Sequence, residues 1–159
     1  RTGCVAVNIP DYGVLFIGGF GRNRSPLRST ELLTRRSGEV GGGGDENWEW
    51  LPYTPMNEEH NGEHFAAYFQ GRVYVVSREE RGHKMEMLDV TAGGQWTSLT
   101  SFGLSRRLYS MAIFGNELFV LGQGNVYSVE LDGDAKRRFG RWKKGKSVPY
   151  GPLMTVHLK

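Results

Sequence analysis

The amino-acid sequence predicts an all-β protein, and three observations support this prediction. No long segment places apolar residues at the three- and four-residue spacing of an amphipathic helix. Short runs rich in β-branched and aromatic residues are bounded by turn residues, and most of the 23 glycines lie between these runs. A glycine followed by such a run occurs three times, at residues 13–19, 71–77 and 115–122.

Each of the three glycine-led runs is the second strand of a predicted four-strand unit. An apolar run precedes it across a short hairpin turn, and a weaker strand and then a tryptophan follow it. The preceding runs are 4–9, 64–69 and 109–114, the weaker strands are 30–33, 85–88 and 126–129, and the tryptophans are Trp48, Trp96 and Trp142. The unit recurs at roughly 45–50 residues, which is the length of a four-stranded propeller blade.

The predicted architecture is a β-propeller with about three four-stranded antiparallel blades. Their approximate ranges are 3–56, 63–102 and 106–149, with the first strand of a further blade at 152–159 and a flexible glycine-rich insert at 37–46. An ordinary β-sandwich is the alternative, but it has no reason to repeat glycine and tryptophan positions in phase. Because closed propellers have about 4–8 blades, we expect an incomplete ring. We expect the chain to be a fragment of a longer one, and the alternative is that another copy supplies the rest.

Several of these repeated residues carry a resemblance to a known family. They are Gly18-Gly19 after the Val14–Ile17 strand, Trp48 with Leu51-Pro52 and Pro55-Met56, the spaced Trp96 and Trp142, and Tyr74 and Phe119 within the second strands. Over essentially its whole length the chain resembles the kelch-repeat β-propellers. It departs from them where Ser77-Arg78 and Gly122-Gln123 replace the double glycine.

The resemblance and the repeats assign structural roles to the shared glycines and tryptophans. A glycine after a strand allows a turn in which a Cβ would clash, and a tryptophan can pack between neighbouring sheets. We expect Trp48 and Trp96 to pack between blades. The full set of structural positions is Gly18, Gly19, Trp48, Trp96, Gly122 and Trp142.

The kelch resemblance implies a protein-interaction module that performs no chemistry. Kelch domains often form the C-terminal part of adaptors that recognise substrates for a cullin-3 ubiquitin ligase, while separate BTB and BACK domains contact the ligase. Other kelch proteins bind actin, which is the alternative within the same class. Sugar oxidases with a kelch-like propeller are the alternative of a different class, but they need copper ligands, and Cys4 has no matching ligand set. We therefore predict no catalytic residue, no cofactor and no metal.

The predicted partner-binding surface is formed by loops at one end of the units, after the second strand and before the first strand. Recognition residues concentrate in loops that a rigid scaffold holds, and arginine binds carboxylates in a bidentate geometry. The resemblance implies an arginine-bearing surface here, and the expected partner is an acidic or mixed-charge protein segment. A plain solvated surface is the alternative. The candidate residues are Arg22, Asn23, Arg24, Arg28, Arg78, Arg81, His83, Arg106 and Arg107.

Three other sequence features could suggest a functional site, but each has a simpler explanation or lacks the expected motif. Residues 136–146 hold seven basic residues, but a solvated loop explains them better than a nucleic-acid site does. The four glycines at 41–44 lack the following Lys-Ser/Thr of a phosphate-binding loop. His60, His64, His83 and His157 show no known zinc spacing.

Bulk composition indicates a compartment but no ligand. The 20 basic and 17 acidic side chains give a mildly positive chain, which does not by itself require an anionic partner. Cys4 is the only cysteine, so no internal disulfide is possible, and we expect a reducing, cytoplasmic location. No apolar run approaches the roughly 20 residues that cross a bilayer, so we expect no membrane contact.

Overall fold

The computed structural model describes residues 1–36, 48–60, 63–79, 82–99, 107–122, 124–131 and 143–147. Within these ranges, twelve β-strands form three antiparallel sheets of four strands each, and no helix occurs. In every sheet, strands that are consecutive in sequence are neighbours in space. The all-β prediction with four-stranded antiparallel units is confirmed. The predicted insert at 37–46 and the predicted strand at 152–159 lie outside the described residues.

The strands are numbered in chain order. Sheet 1 contains β1 (Val5–Ile9), β2 (Gly13–Ile17), β3 (Thr30–Arg35) and β4 (Trp48–Tyr53). Sheet 2 contains β5 (His64–Phe69), β6 (Arg72–Glu79), β7 (Gly82–Asp89) and β8 (Gln95–Leu99). Sheet 3 contains β9 (Leu108–Phe114), β10 (Glu117–Gly122), β11 (Asn125–Glu130) and β12 (Lys143–Ser147).

The hairpin between β5 and β6 shows how local sequence sets the strand register. Gln70 and Gly71 form the turn, and both have positive φ angles, 45° and 81°. Two central residues with positive φ give the turn twist that matches the right-handed twist of paired strands. Phe69 consequently pairs with Arg72, and the pairing continues along the hairpin to His64 opposite Ser77.

The first strands of the three sheets, β1, β5 and β9, lie next to one another. Together they line an open groove of about 910 Å³, and several of its wall residues are small, including Ala6, Ala66 and Ala112. The last strands, β4, β8 and β12, form the opposite edges of the sheets. The three sheets therefore converge on their first strands.

The side chains of β6 alternate between two hydrophobic clusters because successive strand residues point to opposite faces. Val73 and Val75 pack with sheet 1, whereas Tyr74 and Val76 pack with sheet 3. Sheet 2 is therefore buried on both faces. The cluster between sheets 1 and 2 contains Val7, Ile9, Leu15, Ile17, Leu32, Met56, Val73, Val75, Leu88, Val90 and Trp96. The cluster between sheets 2 and 3 contains Tyr74, Val76, Met85, Leu108, Leu118, Val120, Val129 and Leu131.

Trp96 lies between sheets 1 and 2, the location that the sequence indicated. Its side chain is only 7% exposed, and its indole Nε1–H donates a hydrogen bond to the Thr54 carbonyl at 2.7 Å. A buried indole needs such an acceptor, because an unpaired N–H would lose its hydrogen bond to water. Trp96 thus joins β8 to the segment that follows β4.

Trp48 lies on a face of sheet 1 that has no described neighbouring sheet, so its packing between blades stays a prediction. Its side chain is 48% exposed, on the face of sheet 1 that points away from sheet 2. Strand pairing also shows that Trp50, and not Trp48, has the register of Trp96. Trp50 pairs with Leu33, which pairs with Val14. Trp96 pairs in the same way with Leu88, which pairs with Val73. Trp142 lies outside the described residues.

Candidate interaction surface

One end of the three sheets carries the predicted binding loops. The β2–β3 and β6–β7 connections share this end with the segments before β1, β5 and β9, because neighbouring strands are antiparallel. A contact between sheets 1 and 2 shows that their ends align, because His64 Nε2 lies 3.3 Å from the Ile17 carbonyl oxygen. Within sheet 2, the Arg78 backbone N–H donates to the Glu63 carbonyl at 3.1 Å. We call this surface the arginine end.

The longest described loop of the arginine end, residues 18–29, is held by backbone hydrogen bonds. Its base is closed by the Gly18 N–H donating to the Ser29 carbonyl at 3.1 Å. Phe20 and Thr2 exchange two backbone hydrogen bonds, which attaches the loop to the segment before β1. The Gly21 N–H donates to the Ser25 carbonyl at 2.9 Å, so the tip is a closed turn. The loop is therefore held in a defined conformation by its own backbone hydrogen bonds.

The double glycine at the base of this loop is required by its geometry. Gly18 and Gly19 have φ angles of +61° and +88°, a region that other residues rarely adopt. A Cβ on Gly19 would lie 2.6 Å from the Thr2 carbonyl oxygen and 2.8 Å from the Cys4 backbone nitrogen. Both atoms belong to the backbone and cannot move away easily. These glycines permit the close approach of the loop to the first segment of the chain.

The tip of the loop presents two guanidinium groups to solvent. Arg22, Asn23 and Arg24 are all exposed, and Arg28 is exposed further along the loop. Arg24 has a φ of +55°, so the turn itself fixes its direction. Among the described residues, no ion pair involves Arg22, Arg24 or Arg28. Their charges are therefore available to a partner.

The arginines of the neighbouring units have a different environment. Arg78 is exposed at the end of β6, while Arg107, just before β9, forms a bidentate ion pair with Glu63. Hydrogen bonding from Arg107 is the main cause that lowers the pKa of Glu63, and Arg78 contributes further. The pair joins the segments before β5 and β9. The candidate residues Arg81 and Arg106 lie outside the described residues.

His83 cannot be part of an exposed surface, which corrects its assignment as a partner-binding residue. The sequence places it just after the β6–β7 turn, but its side chain is fully buried in β7. The physical reason is that β6 and β7 are both eight residues long, so the hairpin extends past Arg78 and turns at Glu79 and Gly82. A predicted loop residue thus becomes a strand residue.

A buried polar network lies directly beneath the arginine end. The imidazole of His60 bridges the Ser77 hydroxyl and the Glu86 carboxylate, with 3.0 Å between His60 Nε2 and Glu86 Oε1. Glu86 also accepts hydrogen bonds from the backbone N–H groups of Asn57 and Glu58, at 2.9 and 3.2 Å. His60, Ser77 and Glu86 are all buried. The network fixes the segment that connects sheet 1 to sheet 2.

Electrostatics explains why Glu86 can be buried. Burial by itself raises the pKa of Glu86, but the hydrogen bonds from His60, Asn57 and Glu58 outweigh it and lower the pKa below the usual value of 4.5. The carboxylate is therefore charged at neutral pH. A buried charge is tolerated only when it is paired and hydrogen-bonded, as it is here.

The serine, histidine and glutamate of this network have the composition of a hydrolase triad but not its accessibility. The Ser77 side chain is fully buried, so no substrate carbonyl can approach its hydroxyl. The network is a structural support. Sequence reasoning did not find it, although the acidic residue within the apolar run Met85-Glu86-Met87-Leu88 was a signal for a buried carboxylate.

Other candidate sites fall partly or wholly outside the described ranges. Of the basic run 136–146, the described part includes Lys143, whose Nζ lies 2.8 Å from the Glu130 carboxylate. Within the described ranges, no group of three or more His, Cys, Asp or Glu side chains has an arrangement that could hold a metal. In that same part of the chain, no helix is long and apolar enough to span a membrane.

Three four-stranded antiparallel sheets that converge on their first strands define the class of protein, a β-propeller. Residues 45–137 match the model of the DUF6242 beta propeller domain. Because the match covers more than half of the chain, the protein belongs to this family. No curated protein sequence matches the chain. The match supports the propeller prediction and does not extend to the kelch-repeat assignment.

Proposed function

We propose that this propeller domain is a protein-interaction module whose arginine end binds an acidic segment of a partner protein. A β-propeller is compatible with such a role, because it holds loops on a rigid scaffold. The observation that carries the proposal is the tip of the 18–29 loop. There, Arg22 and Arg24 are exposed on a hydrogen-bonded turn and form no ion pair with described residues.

The rigidity of the loop supports a binding role over a solvated surface. A flexible arginine loses conformational entropy when it binds, whereas a loop already held in place loses less. The contacts of Phe20 with Thr2 and the closed turn from Gly21 to Ser25 supply this rigidity. Arginine also forms bidentate contacts with carboxylates that a solvated lysine does not reproduce. The proposal assigns binding, and no catalysis, to this surface.

The local charge also favours an acidic partner. Glu63 is already neutralised by Arg107, and Glu58 by Lys84. Arg22, Arg24, Arg28 and Arg78 then leave a positive surface along one end of sheets 1 and 2. Such a surface attracts carboxylates from a distance of about one Debye length, roughly 10 Å at 0.1 M salt.

The experiment measures binding of a short fluorescent poly-glutamate peptide by anisotropy. The test variant is Arg22→Gln with Arg24→Asn, because asparagine tolerates the positive φ of position 24. The matched control is Arg36→Gln with Lys143→Gln, which removes the same charge at the opposite end of the sheets. Two surface contacts of about 0.5–1 kcal/mol each predict a loss of about five- to thirtyfold in affinity for the test variant.

A control variant that binds as weakly as the test variant would contradict the proposal, because the effect would then reflect net charge alone. Binding that is insensitive to salt between about 0.05 and 0.5 M would also contradict it, since exposed charge pairs are screened. The peptide stands in for the partner's acidic segment and identifies no particular partner.

Two finer proposals come from the kelch resemblance alone. In the first, the domain recognises substrates for a cullin-3 ubiquitin ligase; in the second, it binds actin filaments. Co-purification of cullin-3 with the complete polypeptide would support the first, and cosedimentation with actin filaments would support the second. Loss of either interaction in the Arg22→Gln, Arg24→Asn variant would assign it to the arginine end.

A further inference from the structure

One ion pair at the arginine end joins two sheets and has the geometry with which arginine binds a ligand carboxylate. The Arg107 guanidinium donates from Nε to Glu63 Oε2 at 3.1 Å and from Nη2 to Glu63 Oε1. Two such parallel hydrogen bonds are the bidentate arrangement that makes arginine selective for carboxylates. Glu63 precedes β5 of sheet 2 and Arg107 precedes β9 of sheet 3, so the contact crosses from one sheet to the next.

A second arginine lies beside the same carboxylate. The Arg78 backbone N–H donates to the Glu63 carbonyl at 3.1 Å, which holds the end of β6 against the segment before β5. The hydrogen bond from Arg107 is the main cause that lowers the pKa of Glu63, and the charge of Arg78, whose side chain is exposed, lowers that pKa further. Glu63 is therefore a charged carboxylate in the field of two guanidinium groups.

This ion pair is exposed, so its carboxylate can be exchanged. The side chains of Glu63 and Arg107 are 50% and 54% exposed. Exposed ion pairs contribute little to stability because water screens them and because two long side chains must be ordered. Breaking the pair therefore costs little when another carboxylate takes the place of Glu63. The pair of His60 and Glu86 differs, because both side chains are buried and no carboxylate from outside can reach them.

We propose that Arg107 and Arg78 form a second carboxylate-binding site at the arginine end, which Glu63 occupies until a carboxylate of the partner replaces it. The inference rests on the proposed function, because it extends the same surface from the 18–29 loop of sheet 1 to the ends of sheets 2 and 3. Glu63 is then an internal competitor that lowers the affinity of the free chain for an acidic segment. The partner's segment contacts the loop tip with one carboxylate and this second site with another.

Anisotropy of the fluorescent poly-glutamate peptide tests this site. Glu63→Gln keeps the shape of the side chain and removes the competing charge, so the affinity for the peptide should rise about 1.5- to fivefold. Adding Arg107→Gln to Glu63→Gln should remove this gain, because the peptide binds the guanidinium that Glu63 released.

The matched control is Glu130→Gln, which removes the same charge from another exposed ion pair. Glu130 and its partner Lys143 are 52% and 61% exposed, and Glu130 lies at the opposite end of sheet 3. A strand of this length spans roughly 17–20 Å, which exceeds the Debye length at 0.1 M salt. The affinity of Glu130→Gln should therefore differ from that of the wild type by less than about 1.5-fold.

Two results would overturn the inference. A gain in Glu63→Gln no larger than that in Glu130→Gln would assign the effect to net charge. A gain that persists when Arg107 is also replaced would show that the peptide does not bind this guanidinium. Since the replaced side chains are exposed, unchanged circular dichroism is expected for every variant and shows that it is folded.

The Arg22→Gln, Arg24→Asn variant separates this inference from the proposed function. If that variant binds more weakly while Glu63→Gln gains nothing, the loop tip binds the peptide and the second site alone is wrong. If that variant binds as the wild type does while Glu63→Gln gains affinity through Arg107, the second site is right and the assignment to the loop tip is wrong. A peptide that binds none of these chains would overturn both.

Discussion

Sheets 1 and 2 present corresponding side chains on the same side, but only sheet 2 is covered there. In sheet 2, the buried Glu86 accepts a hydrogen bond from the buried His60, and Trp96 is packed against sheet 1. In sheet 1, the equivalent Glu31 lies opposite Phe16 and pairs with Arg1 at 2.9 Å, half exposed, while Trp50 faces solvent. His60 and Arg1 each stand four residues before the first strand of their sheet.

The same pattern of contacts recurs in both sheets. How much it contributes to stability depends on whether a neighbouring sheet covers it. A carboxylate has a basic side chain as its partner in both units, but the low dielectric around Glu86 makes that partner essential. The exposed pair of sheet 1 is screened by solvent. The same logic applies to the tryptophans, because hydrophobic stabilisation requires the removal of apolar area from water.

Replacement of the buried tryptophan should have the largest effect on stability. Trp96→Ala creates a cavity between sheets 1 and 2 and removes one of the two hydrogen bonds that the Thr54 carbonyl accepts, so we expect a loss of about 3–5 kcal/mol. Trp48→Ala should cost less than about 1 kcal/mol, because this residue is half exposed and its described contact is the Arg35 guanidinium over its ring. Urea denaturation of both variants checks the comparison. Equal losses would contradict the assignment of Trp96 to the interior.

Replacement of the buried carboxylate should have the next largest effect. Glu86→Gln leaves the donors from His60 and from Asn57 and Glu58 poorly matched, at a cost of about 1–3 kcal/mol. Glu31→Gln is the matched variant in sheet 1 and should cost less than about 1 kcal/mol. Thermal unfolding at neutral pH measures both. A larger effect at Glu31 would show that the two sheets do not differ as described.

Replacement of Gly19 should have an effect of similar or smaller size. Gly19→Ala introduces a Cβ beside the Thr2 carbonyl at a positive φ, and we expect a loss of about 1–3 kcal/mol. The corresponding position in sheet 2 is the exposed Arg78, where Arg78→Ala should change stability by less than about 0.5 kcal/mol. Denaturant midpoints give the two values. A neutral Gly19→Ala would mean that the loop does not approach the first segment this closely.

The pH dependence should give the smallest difference. Because the folded-state pKa of Glu86 is lowered, its contribution to stability is present above the ordinary value of 4.5 and is lost as the pH falls through the folded pKa. The stability difference between the wild type and Glu86→Gln should therefore shrink from pH 7 towards pH 3. Denaturation series at several pH values measure it. A difference that stays constant would contradict the lowered pKa.

The repeat in the sequence was sufficient to predict the sheets, because alternating apolar runs and turn glycines act locally. The repeat did not show which of Trp48 and Trp50 corresponds to Trp96, because both point to the same face of β4. That choice depends on the register between β3 and β4, and the intervening insert carries no local signal for it. Strand pairing, not spacing along the chain, identifies Trp50 as the partner position of Trp96.

The binding loops could be placed at one end from the antiparallel order of the strands alone. The buried polar network beneath these loops could not be predicted, because it depends on contacts between residues far apart in sequence. His60 lies 17 residues from Ser77 and 26 from Glu86, and no short motif connects them. His83 was misplaced for a related reason, since the length of the β6–β7 hairpin is set by packing on both sides of sheet 2.

Hydroxyl-radical footprinting of Trp50 and Trp96 tests the comparison of the two sheets most directly. The account predicts that Trp96, which is 7% exposed, is protected, whereas Trp50, which is 55% exposed, reacts readily. Trp96 reacting as readily as Trp50 would contradict it.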